Sequence, residues 1–345
     1  MTSKSQTEIK TYGAKIAGWG RGLPARAVTN FDLEKIFDTS DEWISQRTGI
    51  KERRIVDPEK GETAVSLGAE SAKQAIEHAK ANGLSISVED IDLIICATAT
   101  GDNLFPSTAC LIQSEIGATN AAAFDLSAAC TGFIFGINSA RSFINNGSYK
   151  NVLVIGVDLM SKYVDWSDRS AAIIFGDGAG AALITATEPE ENKIKSVFMK
   201  SKGDTEGALY LNNKSTHYPI KAADINGGTA VVKMEGQQVY QFAVKAMPEA
   251  IKEACSRAGI EPTDLDYVVP HQANQRITES SSKRLKIPLE KFITNIDKYG
   301  NTSAASIPIA FSEALENGKI SGKNLKIALV GFGAGLTWGA TVIEY

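Results

Sequence analysis

Asp90-Ile-Asp-Leu-Ile-Ile-Cys96 returns 174 residues later as Asp264-Leu-Asp-Tyr-Val-Val-Pro270. The first copy opens a continuous apolar run, Ile91–Ala97, the pattern of a strand buried on both faces. The repetition continues downstream. After the first copy come a helix, the short apolar strand Ala123–Leu126, the small-residue stretch Ser127–Gly132 and an apolar helix. After the second come a Ser- and Lys-rich helix, the strand Phe292–Ile296, the turn Tyr299–Ser303 and another apolar helix. The next strands, Asn151–Val157 and Lys326–Val330, also correspond. Elsewhere Thr63–Ala81 sets Val65, Ala69, Ala72, Ile76 and Ala79 on one helical face, with Gly83 as a stop signal. Strands alternating with helices give an α/β architecture. A repeat this long is a duplicated domain rather than a solenoid unit. The expected division is 1–185 and 186–345, two halves related by a pseudo-twofold axis. The acidic stretch Thr187–Lys193 lies at the join.

The bulk composition narrows the function. Of 345 residues, 43% are hydrophobic and 22% charged, as in a globular protein, and the net charge of −4 gives nucleic acid no global attraction. No apolar run reaches the roughly 18–20 residues that span a membrane, and Met1–Lys10 has no apolar signal core. A cytoplasmic location is expected. Cys96, Cys110, Cys130 and Cys255 have neither zinc-ribbon nor redox spacing. They read as three buried filler residues and one reactive thiol.

Cys130 follows a strand and precedes a helix. The N–H groups and dipole at a helix N-terminus lower a thiol pKa and can hold an oxyanion. The residues alone leave a buried structural cysteine equally open. His271 lies just past the strand Tyr267–Val269, and Asn301 follows the strand that matches Ala123–Leu126. Taken singly, His271 reads as a structural strand-end histidine and Asn301 as a turn or N-cap residue. All three sit beyond the carboxyl ends of strands, where α/β sheets place their sites. Packing of the two halves would bring them together. The segments Phe175–Gly180 and Gly331–Gly335 both contain GxGxG, but strands follow them, so a dinucleotide fingerprint is rejected. Tight turns or close backbone approach to a ligand is the expectation.

Specific motifs now add to this reading. They are Thr39-Ser-Asp-Glu-Trp-Ile44 with Arg47-Thr-Gly-Ile50, Ala128-Ala-Cys-Thr-Gly-Phe133, Gly176–Gly180, His271-Gln-Ala-Asn274, Gly300-Asn-Thr-Ser303 and Gly331–Gly339. In them the sequence resembles the β-ketoacyl-acyl-carrier-protein synthase III family of the thiolase superfamily, from about Ala14 to Tyr345. The resemblance implies a five-layered αβαβα fold and a Cys130–His271–Asn301 triad. It also implies a ping-pong condensation of acetyl-CoA, or another short acyl-CoA, with malonyl carrier protein. The backbone N–H groups of Cys130 and Ala334 would form an oxyanion site, although some relatives have glycine at Ala334. Trp43, Arg47 and Arg169 would hold CoA. Phe105 would cross a homodimer interface to floor the partner's acyl pocket. Gln272, Ala273, Asn274, Gln275, Arg276, Lys283 and Arg284 would dock acyl carrier protein, with Gln241 standing where some relatives carry lysine. No cofactor or metal is implied, since the CoA thioester is a substrate.

Histidine count separates the subclasses. The elongating synthases of this superfamily use Cys-His-His, but His78 falls on a polar helix face with Ser71 and Gln74, and His217 lies in the polar stretch Asn212–Tyr218. Biosynthetic thiolases need a second cysteine near the C-terminal glycine turn, and none follows Cys255. Two other readings stay open. One is a related synthase for a polyketide starter, an alkylquinolone or a long-chain ketone. The other is a non-catalytic acyl-CoA-binding protein, which would have no need of all three polar groups.

Overall fold

The computed structural model describes residues 11–211 and 231–345. His217 lies outside them. Thirteen strands are formed among the described residues: β1 (Gly13–Gly22), β2 (Ala27–Thr29), β3 (Glu52–Arg54), β4 (Leu93–Ala97), β5 (Ala122–Leu126), β6 (Asn151–Leu159), β7 (Asp177–Thr187), β8 (Ile194–Ser201), β9 (Leu209–Leu211), β10 (Val232–Met234), β11 (Tyr267–Pro270), β12 (Lys326–Gly333) and β13 (Thr337–Glu344). The first large sheet has the order β1-β7-β6-β4-β5 and the second the order β8-β13-β12-β11. The two read in parallel. In each, the central strand pairs parallel with the strand carrying the repeated Asp motif and antiparallel with the strand that follows it in the chain.

The correspondence breaks at one place. The expected strand Phe292–Ile296 is not formed. Only one parallel bridge, Val268 to Phe292, stands where β5 pairs with β4 over five residues. The chain then leaves the sheet and turns through the short helix Ile296–Tyr299. Apolar residues alone do not make a ladder, and here residues 293–295 find other partners, described below.

Five layers result. The outer helix Ala64–Ala81 starts at a capping box in which Thr63 and Ser66 bond reciprocally, and it buries Ala69, Ala72, Ile76 and Ala79. It lies almost on the backbone of β1. A Cβ built at Gly18, Gly20 or Gly22 would stand 2.0–2.2 Å from the carbonyl oxygens of Ala75, Ser71 and Leu67. The helix Gly236–Ala258 covers the outer face of the second sheet. Between the sheets lie the helices Gly132–Asn145 and Ser306–Glu316, each touching both. Their buried residues, Phe133, Ile134, Ile137, Ala140 and Ile144 on one and Ile307, Ile309, Ala310, Phe311 and Ala314 on the other, face the sheets, while Ser142 and Glu316 reach solvent. The central core joins Trp19 of β1, Phe133 and Phe311, with the Trp19 and Phe311 rings stacked at 3.9 Å. Each such buried side chain contributes roughly 1.5–3 kcal/mol.

The glycine-rich segments make close approaches to the opposite half. A Cβ at Gly176 would meet Tyr299 O at 2.3 Å, and one at Gly180 would meet Pro308 Cγ at 2.7 Å. Among the cysteines, Cys96, Cys130 and Cys255 are buried and Cys110 is exposed. Cys110, read as one of three buried filler residues, is therefore at the surface instead.

Candidate active site

Cys130 sits in a 3₁₀ turn, Ala129–Thr131, between the end of β5 and the middle-layer helix that begins at Gly132. Ala129 holds a φ of 45°, unusual for a residue with a Cβ. The second half repeats this turn as Ser303–Ala305, with Ser303 at a φ of 51°, before the helix Ser306–Glu316. The two turns meet. Gly333, from the end of β12, is packed against Cys130 so closely that a Cβ there would stand 2.9 Å from Cys130 Cβ and 3.1 Å from Cys130 N.

His271 follows β11, its backbone N–H donating to Val330 O at 2.8 Å. Its ring stands edge-on to Phe332, centroids 5.2 Å apart, and its Nδ1 lies 2.7 Å from Ser306 Oγ. Asn301 is held by its own N–H on Ile174 O at 2.9 Å and by Gly176 N–H on its carbonyl at 3.0 Å. Its side-chain Oδ1 accepts from Ser303 N–H at 2.8 Å. A backbone N–H can only donate, so this bond fixes the amide, and the NH₂ end is the free face. Cys130, His271 and Asn301 line one cavity of about 210 Å³, together with Ala334 and Ser303. Its walls are mostly apolar, including Leu209, Val232, Val239 and Phe242.

Burial dominates the surroundings of the thiol and the imidazole. Cys130 is only 7% exposed. Burial pushes its thiol up to about 12, helped by the carboxylate of Asp158 and opposed by a hydrogen bond with Ser303. Burial and the positive end of the following helix act on this thiol in opposite directions. Burial also takes His271 down to about 3, so its imidazole is neutral near pH 7. A buried thiol, a neutral imidazole and an oriented carboxamide on one largely apolar cavity suit acyl transfer through sulfur, with donors for a developing oxyanion.

Sequence reasoning missed several residues here. Asp158 is fully buried at the end of β6, accepting from Ala99 N–H, Thr100 Oγ1 and Ala304 N–H at 2.9, 2.9 and 3.2 Å. Burial raises its pKa. Arg53, also fully buried, donates to Ile173 O at 2.8 Å and so braces the segment on which Asn301 hangs. Ser303 and Ser306 stood in or beside a quoted motif. Asp158 and Arg53 carried no signal of position.

The ligand residues fall into separate groups. Trp43, Arg47 and Arg169 come together, with the two guanidinium carbons 4.5 and 4.7 Å from the Trp43 ring centroid. Asn274 lines the cavity and donates to Arg47 O at 3.1 Å, joining this cluster to the chamber. Phe105 is 87% exposed and does not line the cavity of its own chain. Ala273 also lines the cavity, Gln275 is half-buried, and Arg276, Lys283 and Arg284 are exposed on one helix, Gln275–Leu285. Gln272 has to be withdrawn from the docking surface. It is 3% exposed; its amide donates to Pro270 O at 2.6 Å and Ile293 O at 3.2 Å, and accepts from Asn295 N–H at 3.1 Å. It pairs with the backbone that left the sheet. His78 is half-buried beside Asn82, and Ser71 on its helix is fully buried, so that face is less solvated than its polarity suggests.

Residues 124–203 match the family profile described as 3-oxoacyl-[acyl-carrier-protein (ACP)] synthase III, and residues 255–345 match its C-terminal counterpart. The chain is 48% identical over 332 residues to the β-ketoacyl-[acyl-carrier-protein] synthase III of Clostridioides difficile (strain 630), covering 96% of this chain and 98% of that one. The chain belongs to the 3-oxoacyl-[acyl-carrier-protein] synthase III family. It is a condensing acyltransferase on the thiolase fold. The crystal structure of the Aquifex aeolicus VF5 synthase III aligns with a TM-score of 0.87 at 45% identity, over 96% of this chain and all, 100%, of that one. The priming β-ketosynthase of the R1128 polyketide pathway aligns with a TM-score of 0.90 at 32% identity, over 99% and 98% of the two chains. Among the described residues no cluster of His, Cys, Asp or Glu is arranged to hold a metal ion, and no helix is long and apolar enough to cross a membrane.

Proposed function

We propose that the enzyme opens fatty acid synthesis by condensing acetyl-CoA, or another short acyl-CoA, with malonyl-acyl-carrier protein. The observation that carries this reading is the convergence of Cys130, His271 and Asn301 on one cavity. In the first half-reaction Cys130 Sγ adds to the thioester carbon, the bond to CoA breaks, and the thiol proton ends on the CoA sulfur. In the second the malonyl C–CO₂ bond breaks and carbon dioxide leaves. Its electron pair becomes an enolate that forms the new carbon–carbon bond to the acyl group. Cys130 sulfur departs and regains a proton from solvent. His271 and Asn301 donate hydrogen bonds to the malonyl thioester oxygen as the enolate develops. The fixed amide of Asn301, with its NH₂ end free, supports that role. The N–H groups of Cys130 and Ala334 hold the acyl oxyanion, and the packing of Gly333 on Cys130 supports their closeness.

The Trp43–Arg47–Arg169 cluster receives CoA, its aromatic ring and guanidinium groups suited to an adenine and phosphates. Arg276, Lys283 and Arg284 dock the acidic carrier protein. The exposed Leu104 and Phe105, and Phe124 on the edge strand β5, support a homodimer in which Phe105 reaches the partner's pocket. The two repeats divide near residue 185, the chemistry needs no cofactor, and the setting is the cytoplasm. A priming synthase for a polyketide starter is the second reading, favoured by the fit to the R1128 enzyme and by the apolar cavity walls.

Half-reactions test the assignment. Intact-protein mass spectrometry with a panel of acyl-CoAs reads the Cys130 adduct and the primer length together, and Cys130→Ala gives none. His271→Ala and Asn301→Ala still acylate but lose condensation by on the order of 10²–10³-fold. Normal condensation in either variant would overturn the roles.

A further inference from the structure

Ser306 opens the second middle-layer helix and is 2% exposed. Its hydroxyl oxygen has three polar neighbours: His271 Nδ1 at 2.7 Å, Ser303 O at 2.9 Å and Gln272 N–H at 3.4 Å. A hydroxyl carries one hydrogen and two acceptor positions. Gln272 N–H can only donate, so it takes a lone pair. The hydrogen then goes either to Nδ1 or to Ser303 O. Ser303 O already accepts from the backbone N–H of Ser306, so it has a partner without the hydroxyl. The buried Nδ1 has the shorter contact.

We propose that Ser306 is a positioning residue that donates its hydroxyl hydrogen to His271 Nδ1 and so holds the neutral imidazole with its proton on Nε2. The tautomer of a histidine is set by the bond that its other nitrogen makes. With Nδ1 accepting, Nε2–H is the donor presented to the cavity. With Nδ1 donating, Nε2 would present a lone pair and repel an enolate oxygen. A half-turn of the ring about its Cβ–Cγ bond would put a carbon rather than a nitrogen against Ser306 Oγ, and Phe332 lies edge-on against the ring. The device therefore selects which of two chemically opposite groups faces the substrate. It rests on the reading of His271 as an oxyanion donor.

Nitrogen-15 NMR of the full-length enzyme tests this, with the His271 signals assigned by comparison with His271→Ala. In the wild type the Nε2 signal should be protonated and Nδ1 unprotonated. In Ser306→Ala the single tautomer should be lost, and condensation should fall about tenfold, an order below the loss expected for removing a donor itself. That loss should fall on condensation rather than on acylation of Cys130. A wild-type proton on Nδ1 would overturn both this inference and the donor role of neutral His271. A wild-type proton on Nε2 that stays there in Ser306→Ala, with condensation unchanged, would overturn the role of Ser306 alone. A change of tautomer without a change of rate, or the reverse, also overturns it.

Discussion

Ala129 and Ser303 stand 174 residues apart and hold nearly the same left-handed backbone, φ 45° and 51°. Each opens the 3₁₀ turn that feeds a middle-layer helix, and the two turns pack together. Through this bend one half presents Cys130; the residue equivalent to Cys130 in the other half is Ala304, whose N–H is bound by Asp158. A left-handed conformation costs an L-residue roughly 1–2 kcal/mol, and more when the side chain is β-branched. Ala129→Val should therefore lower stability by about 2 kcal/mol and slow acylation of Cys130, whereas Ala129→Gly should preserve both. Thermal melts and mass-resolved acylation rates check this pair.

Gly333 is predicted to be the least replaceable glycine in the site. A methyl group there has to displace Cys130, since its Cβ, N and Cα would stand 2.9, 3.1 and 3.4 Å away. Gly333→Ala should reduce acylation on the order of 10²-fold, the scale of a sub-ångström to ångström misplacement of a reacting group. Single-turnover acetylation is the measurement. A rate within a factor of two of wild type would show that the turn yields.

The pH dependence of Cys130 follows from burial. A thiol pushed up to about 12 is un-ionised throughout the neutral range, and each unit of rising pH gives more thiolate. Alkylation of Cys130 by iodoacetamide should then climb about tenfold per pH unit from pH 7 to beyond pH 9, with no plateau. A plateau near neutrality would mean that the helix N-terminus and the Ser303 hydrogen bond outweigh desolvation.

Gln272 and Arg276 are four residues apart but should fail in different ways. Gln272→Ala strips partners from the backbone of Pro270, Ile293 and Asn295. It should cost about 2–4 kcal/mol, with condensation per folded molecule changed less than the stability. Arg276→Glu with Lys283→Glu should leave stability near wild type and raise KM for malonyl-acyl-carrier protein, but not for a malonyl donor on CoA. Denaturant titration and KM with the two donors separate these outcomes.

The layers were legible because strands buried on both faces leave continuous apolar runs, and Asn151–Leu159 and Lys326–Gly333 do so. The sites of Cys130, His271 and Asn301 were legible because each follows an apolar segment that stands beside or within a sheet. Phe292–Ile296 misled because its apolar residues are buried without being paired, a difference that composition does not encode. The burial of Cys130 was hidden for a related reason. The sequence locates a helix N-terminus but not the depth of the cavity around it. Gln272 looked like one more polar residue in a basic stretch, and only the packing of residues 293–295 reveals its partners.

The single bridge between Val268 and Phe292 has a consequence for how the site is anchored. In a sheet whose edge lies away from the core, the last strand is the one whose loss leaves the fewest neighbours orphaned. Here that edge is held by one bridge, and the side chain of Gln272 bonds Ile293 O and Asn295 N–H where a ladder would otherwise continue. The chain beyond it carries Asn301 and Ser303 to the opposite half, so a single glutamine ties down the base of the arm that completes the chamber.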